Sequence, residues 1–451
     1  MHFGLLGILA TVFVLSVMVF VHELGHFIVA KLCGVKVEVF SLGFGKRLVG
    51  FERGETDYRI SLLPLGGYVK MAGELPTDAP TGAVDEFSQH PRWQRVLIAL
   101  AGPCANFILA IALMTGVYMF HNEVNEYLSA PVVLDYVPAE STAAKAGFKM
   151  GDRITGIDGI QNPDWDKFGI QVALGANQPQ SAVVNRDGQN LTLHFTPPTP
   201  IVYDEGFTPV IRTDAMAVDA VESSMPAAKA GVKPGDQITA IDSLPLHSAY
   251  TFIAYLQDRK GQPVDLTVRR GDQTLQIPVT PNLVSVALPD KAEEKRYQIG
   301  VLFTPPPAHV ERQPLPQAFT HSIKANIANS TLIFEVFRRI VTFRMSARSV
   351  DGPIGIWQET SRAVQLPGWS PLVQIMAIIS LNLGIVNLLP IPILDGGVIL
   401  LLIIESIMRH DLQPQVKERI YQAAFVIIIL LFALSIFNDI SKLSFFNHAK
   451  P

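Results

Sequence analysis

His22, Glu23 and His26 stand within one apolar run, Leu15 to Leu32, LSVMVFVHELGHFIVAKL. Residues four apart lie about 40° apart around a helix, so both imidazoles can reach one metal ion with Glu23 beside them. A zinc ion held this way brings the pKa of a water ligand down to about 7, and a neighbouring carboxylate can take the proton as that water attacks a carbonyl. That is peptidase chemistry. Three ionisable groups in an apolar segment of membrane length cost several kcal/mol unless they are paired or bound, which weighs against histidines that merely pack.

Two histidines are too few for a catalytic zinc, which usually takes three protein ligands and keeps one position open. Asp395 is the best candidate for the third, a carboxylate within the hydrophobic stretch Asn387 to Gly397, NLLPIPILDGG. Pro390 and Pro392 interrupt the helix there, which a bilayer tolerates only where the freed backbone lines a protein cavity. Gly396 and Gly397 permit close backbone approach. Glu405 is the rival ligand, but it lies about three turns further on, near a membrane boundary where a solvated carboxylate is the plainer reading. Asn387 can hydrogen-bond a substrate backbone or serve packing between helices, and the residues alone leave both open.

The elements that must hold these groups belong to a membrane protein. Of 451 residues, 49% are hydrophobic and 17% charged, and the net charge of -4 exerts no global pull on nucleic acid, which is excluded as a partner class. Cys33 and Cys104 form no CxxC pair, so neither a disulfide framework nor a thiolate metal site is expected, only small packed residues.

Gly4 to Ala30 reads as a first transmembrane helix, with the ~20 apolar residues that span a bilayer. A cleaved leader is the competing reading, disfavoured because no Lys or Arg precedes Lys31 and no small-residue cleavage site stands out. From Val35 to Met71 the pattern alternates, with Val35, Val37 and Val39 on one face, and predicts β-hairpins leaning on the helices near the site. Leu75 to Gln89 reads as a loop. Val96 to Phe120 is a second span, with Gly102, Pro103 and Asn106 near its start. The stretch between the spans is rich in Lys and Arg from Lys31 to Arg95, so it is expected in the cytoplasm with the N-terminus outside. Ile323 to Phe343 reads as an amphipathic surface helix. Leu372 to Leu389 and Leu394 to Ile407 form a broken third span, and Tyr421 to Phe437 the fourth.

Between the second and third spans lies an internal repeat. AAKAGFKMGDRITGIDG from Ala143 matches AAKAGVKPGDQITAIDS from Ala227 at an offset of 84 residues, and RDGQNLTL and RGDQTLQI keep the register. Each copy has β-rich runs, a Gly-Asp turn and a helical segment, Trp165 to Val172 or Ser248 to Gln257. Pro281 to Pro316 reads as a Pro-bearing connection with some strand character at Tyr297 to Phe303. The copies resemble circularly permuted PDZ domains, which capture peptides by adding a strand to a sheet edge, expected here near Val133 to Val137 and Val218 to Val221. A steric, size-excluding role is the alternative.

Taken together, HELGH, the Gly102, Pro103 and Asn106 motif, the tandem insert and the Asn387 to Gly396 pattern resemble the site-2 protease family over nearly the whole chain. The resemblance implies a polytopic α-helical membrane protein with four transmembrane helices, a small membrane-associated β-hairpin region and two tandem β-rich PDZ domains between spans two and three. The expected parts are helix 1 at 1–31, hairpins and loop at 32–95, helix 2 at 96–121, PDZ domains at 128–198 and 212–282, a connection with surface helix at 283–371, the broken helix 3 at 372–408 and helix 4 at 420–438. It implies Zn2+ bound by His22, His26 and Asp395, Glu23 as catalytic base and acid, Asn387 on the substrate, and hairpins that pair with an extended substrate strand. It further implies single-pass membrane protein substrates such as a pre-trimmed anti-sigma factor or residual signal peptides, peptide ligands for the PDZ domains, and a bacterial inner membrane location with those domains periplasmic and the active site toward the cytoplasm. A non-catalytic PDZ scaffold with structural zinc and a metal-ion transporter are the readings from other classes. Glu23 disfavours the first, and the gathering of polar groups in two spans disfavours the second.

Overall fold

A computed structural model describes residues 5–74, 82–198, 201–211, 215–288, 291–305, 308–342 and 352–442. The loop expected from Leu75 lies outside the described residues as far as 81. Two compact units form, one centred on Met1–Asn122 and Arg348–Ser441, the other on Glu123–Val310.

The first unit is helical, with α1 (Leu5–Cys33), α2 (Arg92–Phe120), α3 (Leu315–Val341), α4 (Pro353–Gln365), α5 (Ser370–Asn387), α6 (Asp395–Met408) and α7 (Pro414–Lys442). Among the described residues four segments are long and apolar enough to cross a membrane, namely α1, α2, α5 and the Pro414–Phe437 part of α7. This is the number expected. The helix α6, with 14 residues, is too short to span alone. The helix expected on the membrane surface begins at Leu315 rather than Ile323, and its expected end, Phe343, lies outside the described residues.

Val14 and Met18 of α1 pack on Leu109 and Leu113 of α2 and on Met376 and Leu383 of α5. In lipid such contact, rather than exclusion of water, holds helices together. A side chain on Gly25 would put its Cβ 2.4 Å from the Ala101 carbonyl oxygen, so glycine is what lets α1 close on α2. Cys104, expected to be packed, is exposed, because the buried face of α2 is taken by Gly102, Pro103 and Asn106.

Strands β1 (Val37–Arg53) and β2 (Thr56–Met71) make the expected hairpin region, with a register that doubles back. Residues 47–53 lie against 56–61, while 39–42 meet 57–60 and also 67–70. Val35, Val37 and Met71 bury against Ala30 of α1 and Ile98 of α2, which anchors the hairpin beside the two helices. Its far part exposes Leu48, Val49, Phe51 and Leu62, an apolar surface of the kind that lipid covers.

The second unit holds both repeats. In the first, Arg153–Ile157 pairs with Gln180–Arg186, and that strand with Gln189–Phe195. In the second, the order is Gln273–Val279, Val264–Arg270, Gln237–Ile241, Met216–Val221, Val301–Phe303. The duplicated Gly-Asp turns have a physical reason. Asp152 accepts from Arg186 and Asp236 from Arg270, each starting at 2.7 Å, while each Arg also donates to a carbonyl, Gly147 or Gly231, at 2.7 Å. The hydrogen bonds from Arg270 hold the Asp236 carboxyl below the usual carboxylate range. The helices Trp165–Leu174 and Ala249–Arg259 are capped at equivalent positions by Asp164 and Ser248.

Two expectations are corrected here. The strand at Val218 to Val221 is not an outer strand, because Val301–Phe303 pairs along one side of it, while Gln237–Ile241 pairs with Met216 and Ala217 at its start on the other. Val133 to Val137 is likewise flanked, by Arg153 at Val133 and by Pro209 and Thr208 at Leu134 and Asp135. The stretch expected as a connection supplies the covering strand, Val301–Phe303, after a hairpin of Asn282–Leu288 with Lys291–Gln298. The repeats are joined through Asp135, 4% exposed, which accepts from His247 Nδ1 at 2.6 Å and Thr251 Oγ1 at 2.5 Å.

Candidate metal centre

His22 and His26, one turn apart on α1, meet Asp395, the first residue of α6. His22 Nε2 lies 3.2 Å from His26 Nε2 and 3.1 Å from Asp395 Oδ2, and His26 Nε2 lies 3.4 Å from Asp395 Oδ1. A tetrahedral ion with bonds of about 2.0–2.1 Å holds its ligand atoms about 3.3–3.4 Å apart, so the trio has the span and the donor types that zinc requires. The tautomer of His26 is fixed from behind: Nδ1–H donates to the Ile98 carbonyl of α2 at 2.7 Å, which leaves Nε2 a lone pair turned into the cluster.

Backbone devices place Asp395. After α5 the chain turns through Pro390 and Pro392, with Ile393 at φ 93°, a conformation a β-branched residue rarely adopts and one that clusters at functional sites. The turn folds onto the start of α6 so closely that a Cβ on Gly396 or Gly397 would come within 2.2 Å of the Leu388 or Ile391 carbonyl oxygen. Asn387, the last residue of α5, brings Nδ2 to 3.1 Å from His22 Nε2.

Glu23 stands beside the trio without joining it. Its Oε2 accepts the backbone N–H of Val69 in β2 at 3.0 Å, which ties the carboxylate to the rim of the hairpin. Gly102 forms the floor. A Cβ there would lie 2.2 Å from His26 Nε2 and 2.8 Å from His22 Cε1, so the imidazoles use the space that a side chain would fill.

The rival ligand Glu405 is elsewhere, and it is not solvated. It is fully buried, paired with Lys417 Nζ at 2.5 Å and accepting Leu412 N–H at 2.9 Å. Lys417 lies twelve residues on, across the turn into α7, beyond the reach of a local pattern. The centre also holds a residue to which the sequence motif alone gives no role. Asn106 of α2, with 0% exposure, holds Nδ2 3.1 Å from His22 Nδ1. Its signal was its place four residues after Gly102 on the face that meets α1.

The sequence pattern of Peptidase family M50 matches residues 10–431. A Regulator of sigma-E protease RseP from Salmonella typhimurium is 32% identical over 452 residues, covering 96% of this chain and 98% of that protein. The Regulator of sigma-E protease RseP of Escherichia coli is 32% identical over 448 residues, covering 95% and 97%. Protease RseP of Yersinia pestis is 32% identical over 455 residues, covering 96% and 98%.

Proposed function

The chain belongs to peptidase family M50 and is a zinc metalloprotease of the site-2 type, and we propose that it cuts the membrane-spanning segments of single-pass proteins, with His22, His26 and Asp395 as zinc ligands and Glu23 as proton acceptor. The observation that carries this reading is the trio of ligand atoms 3.1–3.4 Å apart with an independent carboxylate alongside. When bound, zinc supplies Lewis acidity, polarising the scissile carbonyl and making water nucleophilic at neutral pH.

The chain's own groups do the rest. Glu23 takes a proton from the attacking water and returns it to the leaving amine. A substrate helix hides its peptide groups in its own hydrogen bonds, so it must unwind before it is cut. Residues 67–71 of β2 lie on β1 by one side only, and their other side, marked by the Val69 N–H, faces Glu23, which suits them to hold the unwound strand by β-addition. In this reading Asn387, at the rim of the metal centre, donates to a substrate carbonyl. The Lys- and Arg-rich stretch from Lys31 to Arg95 favours a cytoplasmic position for the hairpin, which puts the repeats in the periplasm of a bacterial inner membrane. There the PDZ-like pair bars substrates with bulky outer domains or binds peptide along the Val301–Phe303 edge. A pre-trimmed anti-sigma factor and residual signal peptides are the substrates this reading proposes, the first in keeping with relatives named for sigma-E regulation.

The test is cleavage of a transmembrane substrate by purified protein, wild type against Glu23→Gln, with zinc measured in both. The variant is expected to keep its zinc and lose cleavage by at least about 100-fold. A zinc-loaded variant that cuts at the wild-type rate refutes the assignment of Glu23. Zinc and substrate binding without proteolysis in either protein supports a scaffold instead.

A further inference from the structure

We infer that Asn106 is a positioning residue of the metal centre, its side-chain oxygen accepting Nδ1–H of His22 and so holding Nε2 unprotonated toward the metal. The inference rests on the zinc reading above and adds a residue that the reading does not need. A neutral imidazole carries one proton, so a nitrogen can offer a lone pair to a cation only when the proton sits on the other nitrogen. His26 meets this condition through Ile98. Among the described residues no main-chain carbonyl is hydrogen-bonded to the His22 ring. The atom beside its Nδ1 belongs to the Asn106 amide, 3.1 Å away, while its Nε2 points at His26 Nε2, Asn387 Nδ2 and Asp395 Oδ2.

An amide presents oxygen or nitrogen to a neighbour with little change of shape. With Nδ2 toward His22, the Nδ1 of the imidazole must accept, the ring proton moves to Nε2, and the ligand atom is blocked. In that orientation Oδ1 is also buried without a hydrogen-bond partner. With Oδ1 toward His22, the oxygen is satisfied and Nε2 is free to ligate. Simple helix packing does not account for the residue. Ser380 of α5 already bridges to α2 by donating to the Asn106 main-chain carbonyl at 2.9 Å, so the side chain is left for the imidazole. Outer partners of this kind typically change metal affinity by about 10–100-fold.

Two substitutions of similar size separate acceptor from volume. Asn106→Asp keeps an oxygen at the Oδ1 position, and Asn106→Leu removes every polar atom. Zinc affinity of the full-length protein in detergent is read by competition with a chelator, using zinc alone as probe, with helical content and thermal melting measured alongside. Asn106→Leu is expected to weaken zinc binding about 10–100-fold, and Asn106→Asp to stay within about threefold of wild type. Equal zinc affinity in Asn106→Leu and wild type overturns the inference. So does an Asn106→Asp variant that melts like wild type and binds as weakly as the leucine variant. Wild-type protein that takes up no zinc overturns the metal reading itself.

Discussion

Replacing Gly102 by alanine adds one methyl group at a point where helix formation gains and the metal centre loses. An alanine in a helix interior is favoured over glycine by about 0.5–1 kcal/mol, so α2 itself is not weakened. The new Cβ, however, falls 2.2 Å from His26 Nε2 and 2.8 Å from His22 Cε1. Ordinary carbon contact begins at about 3.5 Å, so the His26 ring must retreat by about 1.3 Å. Zinc sites tolerate only about 0.2 Å of error in a ligand distance, and retreat is opposed by the bond from His26 Nδ1 to Ile98. One of the three proposed zinc ligands is therefore displaced rather than merely reoriented, and the loss exceeds that of an outer partner: at least about 100-fold in zinc affinity, or about 2.8 kcal/mol. Zinc content after dialysis against a chelator, thermal melting and cleavage of a transmembrane substrate are measured on one preparation. A variant that melts at or above the wild-type temperature with its zinc and activity gone is the expected outcome. Wild-type zinc affinity in Gly102→Ala refutes the claim that the imidazoles occupy the glycine's space when the metal is bound.

Val69→Pro removes the N–H that Glu23 accepts, at an edge position where a ring is tolerated; zinc content should be unchanged while cleavage falls about 10–100-fold. Lys417→Met leaves the buried Glu405 carboxylate without its cation, and chemical denaturation should show a loss of about 3–5 kcal/mol with zinc content intact; lost zinc would return Glu405 to consideration as a ligand. Asp236 has its folded pKa depressed by Arg270, so its contribution is present above the unfolded value of about 3.9 and disappears as pH falls through the folded value. The melting transition of the repeat unit should therefore drop below about pH 4, and Asp236→Asn should start lower and flatten that dependence.

The parts legible in the sequence are those written in short-range spacing or in chemical incongruity. The spacing of four from His22 to His26 fixes one helix face, and a carboxylate at Asp395 in an apolar stretch advertises itself because lipid penalises it. What stayed hidden depends on partners far along the chain. Glu405 looks like a boundary carboxylate until Lys417 reaches back to it. Val218 to Val221 has the pattern of a half-buried strand, and nothing in that pattern says that Val301–Phe303, beyond the visible repeat, will take its open side. Asn106 stands in a recognisable motif, yet its significance is set by an imidazole 84 positions earlier.

The joint between the repeats has a direction. At the same 84-residue offset Asp135 corresponds to Asp219, so both copies carry the socket, but Asp135 is buried in its partner while Asp219 is exposed. The plug is not duplicated, since His247 and Thr251 correspond to Pro163 and Lys167 in the first copy. The joint therefore runs one way, from His247 and Thr251 of the later copy into Asp135 of the earlier one, and the equivalent carboxylate of the later copy, Asp219, is left facing outward.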